Sequence, residues 1–468
     1  MDFHPYASRY DVLRSLPEHG TEPDEILGQV AEMAHDEDQS WEQGKCSGTM
    51  YCGDHEHYEF LNRVFGLYSH VNAMQRDICP SQTRFESEII AMTLDLMHGP
   101  AVREANPDHT PCGVLGFGGT ESIMNAVLAY RERARIERGV TDPELLLPIT
   151  AHAAFDKAAR CFGIRAIHAP IDPKTTQVDL AWLREHVTPD TIALVGSAGN
   201  YPYGTIDPID ELSDLALEHG IGLHVDACLG GFILPFGEAL GHDIPPFDFR
   251  LPGVTSISAD THKYGYALKG TSVLLYRDTA LRKLQYFLYP DWPGGTYVSP
   301  GLCGSRSGGL IAATWASMVR LGREGYLRHA RGIFETAFAL QAAVERQPEL
   351  RLLGRPTFCF AFTSDEFDIY HVNDHMKTNG WRFNGQQYPS ALHLCVTRPQ
   401  VRPGLVEEFE ADLAKAVDYA KSPPNPLPQS GALYGGAGAR ATSEAVDQDR
   451  VRAGMIAYQD RTLSLPDQ

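Results

Sequence analysis

The chain has 468 residues, of which 43% are hydrophobic and 21% are charged, and this composition is typical of a folded globular protein. Because single hydrophobic cores stop growing near roughly 250–300 residues, the length predicts a large domain together with smaller units. The formal net charge of −20 argues against a nucleic-acid-binding surface, which needs clustered Lys and Arg. No apolar run approaches the roughly 18 residues that a membrane span requires.

The amino terminus, MDFHPYASRYDVLRSLPEHG, has neither a basic segment followed by an apolar one nor a small-residue cleavage signal. The chain has nine cysteines, and an odd number without a secretion signal favours reduced thiols over a disulfide framework. We therefore expect a cytoplasmic protein.

One group of potential metal ligands, Cys46, Cys52, His55 and His57, lies in the segment KCSGTMYCGDHEHYEF. It lacks the paired CxxC or HxxxH spacing of common zinc sites. We interpret these residues as buried thiols and hydrogen-bonded histidines, and we expect no metal site.

From about residue 113 to residue 277, short apolar or β-branched runs alternate with amphipathic stretches, which indicates βαβ units and a mostly parallel sheet. One helix is predicted to begin near Thr120 and to end at Gly139, and another to end at Gly220. Five strands are predicted from the segments IRAIHAP, TIALVGSAG, IGLHVDAC, VTSISAD and TSVLLYR.

The carboxy-terminal third begins with a long helical pattern and continues with the strand and helix patterns of a small α+β domain. A tail rich in Pro, Gly and Ser follows, and it carries a lone Tyr434 between glycines and apolar residues, as mobile active-site loops do. We predict an amino-terminal segment over 1–98, a large domain over 99–325 and a small domain over 326–468. The sequence has no internal repeat.

Three features come at the ends of predicted strands, where open parallel sheets place their ligand sites. The first is GFGGTES, from Gly116 to Ser122, at a strand-to-helix turn. Its glycines allow close backbone approach and the helix amino terminus offers unpaired N–H groups, so a phosphate is favoured there. A tight turn without a ligand would need the same glycines.

The second feature is HVDAC, in which Asp226 follows an apolar strand. A carboxylate at this position is either an ion-paired buried residue or the partner of a cationic ligand nitrogen. In the second case it would keep the pyridine nitrogen of pyridoxal phosphate protonated and so strengthen the electron sink of that cofactor.

The third feature is SADTHKYGYALKG, which contains Lys263 just past a strand. A lysine can form a Schiff base with the pyridoxal aldehyde, and burial lowers the lysine pKa so that the amine can act as nucleophile and base. A loop lysine is usually only a solvated charge. The order of phosphate cup, strand-end aspartate and strand-end His-Lys is, however, the order that fold-type I pyridoxal-phosphate enzymes require.

Several motifs taken together resemble the sphingosine-1-phosphate lyases of the pyridoxal-phosphate decarboxylase superfamily: GTESI, AHAAFDKAA, GTIDPI, HVDACLGGF, PGVTSISADTHKYGY and GSRSGGLIAATWA. The resemblance runs from about Lys45 to Trp315, and beyond that mainly through the LYGG loop. It implies a fold-type I α/β structure with a mostly parallel seven-stranded sheet, pyridoxal 5'-phosphate as cofactor, and a homodimer with shared active sites. It also implies retro-aldol cleavage of a phosphorylated long-chain base to a long-chain aldehyde and phosphoethanolamine. Eukaryotic members carry an amino-terminal membrane span, which we do not expect here.

The resemblance also assigns roles to individual residues. It implies Lys263 as the Schiff-base lysine, Asp226 as the partner of the ring nitrogen and His152 as the residue that stacks on the ring. The cofactor phosphate is expected to contact Gly119, Thr120 and His262, and Gly304 and Ser305 of the second subunit. The substrate phosphate is expected near Tyr51, Asn72, Gln75 and Lys269. Tyr434, and either Tyr201 or Tyr203, correspond to active-site tyrosines.

Two positions depart from the family pattern. Gln75 stands where the family commonly has histidine, and glutamine donates a hydrogen bond but moves no proton near neutral pH. Phe117 precedes the paired glycines where many members have serine, which leaves the backbone donors in place.

Two other functions stay open from the sequence. One is an amino-acid decarboxylase of the same fold, and the other is a catalytically silent binding member, to which Gln75 lends some support. The sequence does not distinguish the cell's own lipids from those of a host, to which the protein would have to be exported.

Overall fold

The computed structural model describes residues 3–432 and 448–466. The predicted active-site residue Tyr434 therefore lies outside the described residues. The chain opens with a 3-10 helix, Pro5–Ser8, and four α-helices: α1 (Pro23–Glu42), α2 (His55–Tyr68), α3 (Ser81–Leu96) and α4 (Pro100–Ala105). Helices α2 and α3 both pack against the long helix α11 that begins at Gly308.

The centre of the molecule is a seven-stranded sheet with the strand order β1-β7-β6-β5-β4-β2-β3. Its strands are β1 (Cys112–Gly116), β2 (Glu144–Pro148), β3 (Arg165–Ala169), β4 (Thr191–Ser197), β5 (Gly222–Asp226), β6 (Ser256–Ala259) and β7 (Ser272–Tyr276). Only β7 runs antiparallel to its neighbours, so the carboxyl ends of β1, β4, β5 and β6 meet at one edge. The prediction of a mostly parallel seven-stranded sheet is confirmed.

Helices join these strands and cover the sheet. They are α5 (Gly119–Arg138), α6 (Ala154–Phe162), α7 (Leu180–His186), α8 (Ile209–His219), α9 (Leu234–Ala239) and α10 (Thr279–Lys283). Every residue of β4 and β5 is buried, which explains why these strands read as continuous apolar runs. Helix α5 ends where Gly139 adopts a left-handed conformation with φ 69°, close to the predicted boundaries.

After the large sheet come a short hairpin of β8 (Phe287–Tyr289) and β9 (Tyr297–Ser299), then α11 (Gly308–Glu345). Helix α11 is interrupted at Gly322, whose φ of 57° breaks the helical path. A second, antiparallel sheet has the order β10-β11-β13-β12 and is accompanied by two helices, which confirms the small α+β unit. Its elements are β10 (Arg351–Leu352), β11 (Cys359–Thr363), α12 (Ile369–Thr378), β12 (Asn384–Gln386), β13 (Ala391–Cys395), the 3-10 helix Arg398–Gln400 and α13 (Leu405–Lys421).

The last described element is α14 (Gln448–Leu463). Within residues 3–432 and 448–466, no helix combines the length and the apolar character that crossing a bilayer demands.

Candidate active site

A cavity of about 440 Å³ opens at the edge where the carboxyl ends of β1, β4, β5 and β6 meet. Its walls come from five segments that the fold brings together across more than 150 positions of the chain. The lining residues include Phe117, Gly118, Gly119, Thr120, His152, Asn200, Tyr201, Asp226, Cys228, Asp260, His262, Lys263 and Lys269.

The turn between β1 and α5 forms a cup at one wall of this cavity. Gly118 adopts φ 84°, a conformation that a residue with a side chain rarely takes. A Cβ at Gly119 would lie 2.8 Å from the Cys228 sulfur and 2.9 Å from Asp260 Oδ2, so this position needs glycine. The cup therefore presents the amino terminus of a 20-residue helix to the cavity, which is a favourable place for a phosphate.

Asp226 is the last residue of β5 and is 8% exposed. Its Oδ1 atom accepts hydrogen bonds from the Cys228 N–H at 3.0 Å and from the Ser258 hydroxyl at 3.4 Å. Ser258 in turn lies 3.1 Å from Nε2 of His224, whose pKa is lowered to about 4 by burial. A backbone N–H and a hydroxyl, which itself contacts a neutral histidine, thus orient the carboxylate toward the cavity.

His152 lies in the turn before α6 and lines the cavity beside Asp226. Its Nδ1 accepts the N–H of Ala154 at 3.1 Å. Burial lowers the pKa of His152, although the Asp226 carboxylate opposes this shift. The ring is therefore neutral near pH 7, with its proton on Nε2, and is suited to stacking on an aromatic ligand.

Lys263 lies three residues after Asp260, and its Nζ is 3.1 Å from Oδ2 of that carboxylate. Burial by itself lowers the pKa of Lys263, but Asp260 and further negative groups raise it well above the ordinary lysine range. The expectation that burial dominates and lowers this pKa is wrong for the protein without ligand. The physical reason is that the carboxylate, 2% exposed, interacts with the ammonium through little water.

His262 lies beside Lys263, and its Nδ1 is 2.6 Å from the Thr271 carbonyl oxygen. A carbonyl only accepts, so Nδ1 carries a proton and Nε2 faces the region of the cup. Burial lowers the pKa of His262, while Asp260, whose Oδ2 lies 3.7 Å from Nε2, opposes that shift.

Lys269 lines this cavity, and Tyr51 lies beside Lys269. The Lys269 ammonium lies 4.7 Å from the centre of the Tyr51 ring and donates to the Thr49 carbonyl at 2.7 Å. Lys269 is exposed as a residue, but partial burial of its ammonium lowers its pKa to about 8. The nearby charge of Lys263 contributes to the same shift. Lys269 and Tyr51 both line an adjoining cavity of about 270 Å³, together with Trp41, Tyr58 and Leu268.

The two alternative tyrosines lie in different surroundings. Tyr201 lines the cavity, and its ring lies 4.5 Å from that of His393. Tyr203 is 4% exposed, packs against Leu353 in a small apolar cluster and donates to the Tyr388 carbonyl at 3.4 Å. Of the two, only Tyr201 is placed to reach a ligand in this cavity.

The remaining predicted residues form a separate group in the same chain. The Asn72 amide donates to the Ser305 hydroxyl at 3.0 Å, and Asn72 Oδ1 accepts the Arg306 N–H at 3.2 Å. Gln75 follows in the same turn, through a 3.0 Å bond from its N–H to the Asn72 carbonyl, and its side chain is exposed. None of Asn72, Gln75, Gly304 and Ser305 lines the described cavity of its own chain.

Two polar residues of the cavity were missed by the sequence analysis. Asp260 Oδ1 and the Asn200 side-chain nitrogen are buried and have no hydrogen-bond partner within residues 3–432 and 448–466. Asn200 Oδ1 accepts the Tyr203 N–H at 2.9 Å, which fixes the amide so that its nitrogen is the unpaired end. The signals available in sequence were only the aspartate three positions before Lys263 and the turn residues GNYPYG.

The cysteine and histidine group near residue 50 does not form a common site. His57 contacts the Tyr266 carbonyl at 3.1 Å, and the Cys52 sulfur accepts from Arg398 at 3.0 Å. His55 is exposed and lies instead near the carboxylates of Asp38 and Glu42. The described residues offer no other group of three close metal-ligating side chains.

The large cavity fits pyridoxal phosphate. It combines a glycine cradle that a Cβ would fill, a buried strand-end carboxylate, a neutral histidine and a lysine with an amine inside the cavity. These features, on a seven-stranded sheet of this strand order, define a pyridoxal-phosphate-dependent enzyme of fold type I.

Comparison with known proteins agrees with this class. The family described as the pyridoxal-dependent decarboxylase conserved domain matches residues 5–360. The chain is 43% identical over 428 residues to a sphingosine-1-phosphate lyase of Dictyostelium discoideum, which covers 90% of this chain and 78% of that protein. The chain therefore belongs to the sphingosine-1-phosphate lyase family.

Two solved structures extend the comparison. A sphingosine-1-phosphate lyase of Burkholderia pseudomallei is 57% identical, with a TM-score of 0.93 over 99% of this chain and 100% of that one. A glutamate decarboxylase of Lactobacillus brevis is 22% identical, with a TM-score of 0.74 over 90% and 98%, and shows the shared fold alone.

Proposed function

We propose that this protein cleaves the C2–C3 bond of sphingosine 1-phosphate or a related phosphorylated long-chain base. The products are a long-chain aldehyde and phosphoethanolamine. The observation that carries the proposal is the pair of Lys269 and Tyr51, which line the smaller cavity together with Lys263. A cation held there suits a substrate whose head group is a phosphate dianion.

The chain's own residues hold the cofactor. When bound, pyridoxal phosphate accepts the electron pair of the broken carbon–carbon bond. Lys263 would attach it covalently, and Asp226 would hold a proton on its ring nitrogen through the carboxylate that Cys228 and Ser258 orient. The helix amino terminus at Gly119 and Thr120, with His262, binds the phosphate.

The substrate phosphate is held by Lys269. Because the pKa of Lys269 is about 8 without ligand, its ammonium is protonated in most molecules at pH 7. A bound dianion stabilises that charge further. Trp41, Tyr58 and Leu268 of the adjoining cavity provide apolar surface near the same lysine.

The reaction moves two protons. The hydroxyl on C3 loses its proton as the C2–C3 bond breaks and the aldehyde forms, and C2 gains a proton to give phosphoethanolamine, so the reaction balances without a co-reactant. Lys263 and Tyr201 line the cavity, and their side chains would hold or move these protons. We also propose that Tyr434 is an active-site tyrosine. The proposed domains are 1–98, 99–325 and 326–468.

A homodimer with shared active sites is the assembly that we propose. Asn72 bonds to Ser305, and Ser305 is exposed rather than turned toward the cavity of its own chain. If Gly304 and Ser305 complete the cofactor site of a second subunit, Asn72 and Gln75 reach that same site with them.

All nine cysteines are free thiols, which supports a reducing compartment such as the cytoplasm.

The test is a product assay on a panel of substrates. Dihydrosphingosine 1-phosphate should give stoichiometric aldehyde and phosphoethanolamine, whereas unphosphorylated dihydrosphingosine should give little. Carbon dioxide from glutamate or an aromatic amino acid, without aldehyde from the phosphorylated base, would assign the protein to the decarboxylases. A covalently attached cofactor with no turnover of any substrate would favour the silent binding member.

A further inference from the structure

The side chain of Glu121 joins two loops that serve different purposes in the proposed dimer. Glu121 lies in the first turn of α5, and its Oε2 accepts the N–H of Phe117 at 2.6 Å, which closes the cup. Its Oε1 accepts the N–H of Cys303 at 3.2 Å, from the segment that continues into Gly304 and Ser305.

The fold leaves room for this carboxylate at a specific point. A Cβ at Gly116 would lie 3.0 Å from Glu121 Oε2, so the Glu121 side chain occupies space that a side chain at Gly116 would need. Burial, and then the charge of Glu121, raise the pKa of the Cys303 thiol to about 11. The thiol is therefore neutral near pH 7.

A second contact of the same kind lies one turn further along α5. The side-chain oxygen of Asn125 accepts the N–H of Leu302 at 3.2 Å. A Cβ at Gly301 would lie 2.8 Å from the Asn125 amide nitrogen, so the backbone of 301–303 runs closely along the helix. The segment that leads to Ser305 is thus held by the helix whose amino terminus forms the cup.

We propose that Glu121 is a positioning residue that couples the cofactor-phosphate cup of its own subunit to the segment 301–305, which completes the cup of the partner subunit. This inference rests on the proposed dimer with shared sites. The Glu121 carboxylate can accept the N–H groups of Phe117 and Cys303 at once. The position of Glu121 that closes the cup around a phosphate is therefore also the position that holds the segment 301–305. By thermodynamic linkage, loading one site then favours loading the other.

Glutamine at this position separates the two roles. Its one oxygen can accept one of the N–H groups, and its NH2 group would face the other donor. Because hydrogen bonds to a charged group are among the stronger ones, we expect about a tenfold loss in cofactor affinity for each site that depends on the lost contact.

The experiment uses heterodimers purified through two different affinity tags, with cofactor trapped on Lys263 by borohydride and counted by intact-protein mass over a cofactor titration. The reference pairs a Lys263→Ala subunit with an unchanged one, so only one site can trap cofactor. In the trans heterodimer, Glu121→Gln is added to the Lys263→Ala subunit. In the cis heterodimer, it is placed in the other subunit.

We expect half-maximal trapping to need about ten times more cofactor than the reference in both the cis and the trans heterodimer. The matched control is Glu137→Gln, at an exposed position of the same helix, which should titrate like the reference in both arrangements. Glu121→Asp, which keeps the charge but shortens the reach, provides a second variant if the glutamine form does not fold.

Reference-like trapping in the trans heterodimer for both Glu121 variants would overturn the coupling, whatever the cis result. Failure of the proposed function looks different, because the unchanged protein would then release no aldehyde from dihydrosphingosine 1-phosphate even where it traps cofactor. Elution of the unchanged protein as a monomer would contradict the shared-site dimer and the inference with it.

Discussion

Oδ2 of Asp260 lies 3.1 Å from Nζ of Lys263, inside a cavity that also contains the phosphate cup. Burial opposes this ion pair, but Asp260 nevertheless raises the pKa of Lys263, and Lys263 in turn keeps the pKa of Asp260 below its usual range. Lys263 is therefore held as an ammonium. It must lose a proton before it can act as a nucleophile.

This pair predicts the effect of Asp260→Asn on cofactor attachment. The substitution removes the negative charge that raises the lysine pKa, so a larger fraction of Lys263 is neutral at a given pH. The rate of covalent attachment, followed by absorbance after mixing with pyridoxal phosphate, should rise at neutral pH and its pH profile should shift to lower pH. Asp11→Asn, at an exposed position, is the control. An unshifted profile would show that Asp260 does not govern the lysine charge.

Lys263 and Lys269 both line the large cavity and the adjoining smaller one. Replacing Lys263 by alanine removes one of these two amines. We expect the variant to lose covalent cofactor, measured by borohydride trapping and mass, and to release aldehyde at least about a thousandfold more slowly. Free pyridoxal phosphate should still bind weakly through the cup. Trapped cofactor in this variant would move the attachment to another lysine.

The dependence of KM on pH tests Lys269. Its pKa of about 8 means that the ammonium is lost as pH rises through that value, while a phosphate monoester becomes a dianion above about pH 6. We therefore expect KM to be lowest between about pH 6 and pH 8 and to rise at higher pH.

Two variants separate this charge from other effects of pH. Lys269→Arg keeps a cation and should move the alkaline rise in KM to higher pH, whereas Lys269→Ala should raise KM at all these pH values and retain covalent cofactor. A KM unaffected in Lys269→Ala would return this residue to an ordinary surface role.

The two neighbouring tyrosines form a matched pair of variants. Tyr201 lines the cavity, whereas Tyr203 is buried among apolar residues and its hydroxyl bonds to a carbonyl. If the Tyr201 hydroxyl moves a proton, Tyr201→Phe should lower kcat by about a hundredfold or more with little change in stability. Tyr203→Phe should leave kcat within about threefold. Equal losses in both variants would argue for a packing effect.

Sequence patterns located the two ends of the cofactor site but not its interior. The strand-end positions of Asp226 and Lys263, and the glycines before Thr120, were recognisable because parallel strands place their carboxyl ends at one edge. The Asp260 side chain was not recognised, since nothing in its spacing distinguishes a buried ion-pair partner from a solvated loop aspartate. The same is true of the Asn200 amide, whose unpaired nitrogen is defined only by a turn that brings the Tyr203 N–H to its oxygen.

The sequence by itself determined the fold class and the order of the sheet's helices and strands. It did so because apolar periodicity and glycine conformation are local properties of the chain. Only the tertiary structure decided that Tyr201 and not Tyr203 faces the cavity, that Lys263 contacts a carboxylate, and that Asn72 bonds to Ser305 of the same chain. These contacts either join residues that are far apart in sequence or depend on which way a side chain points. Both are set by the packing of the folded chain, which local sequence patterns do not contain.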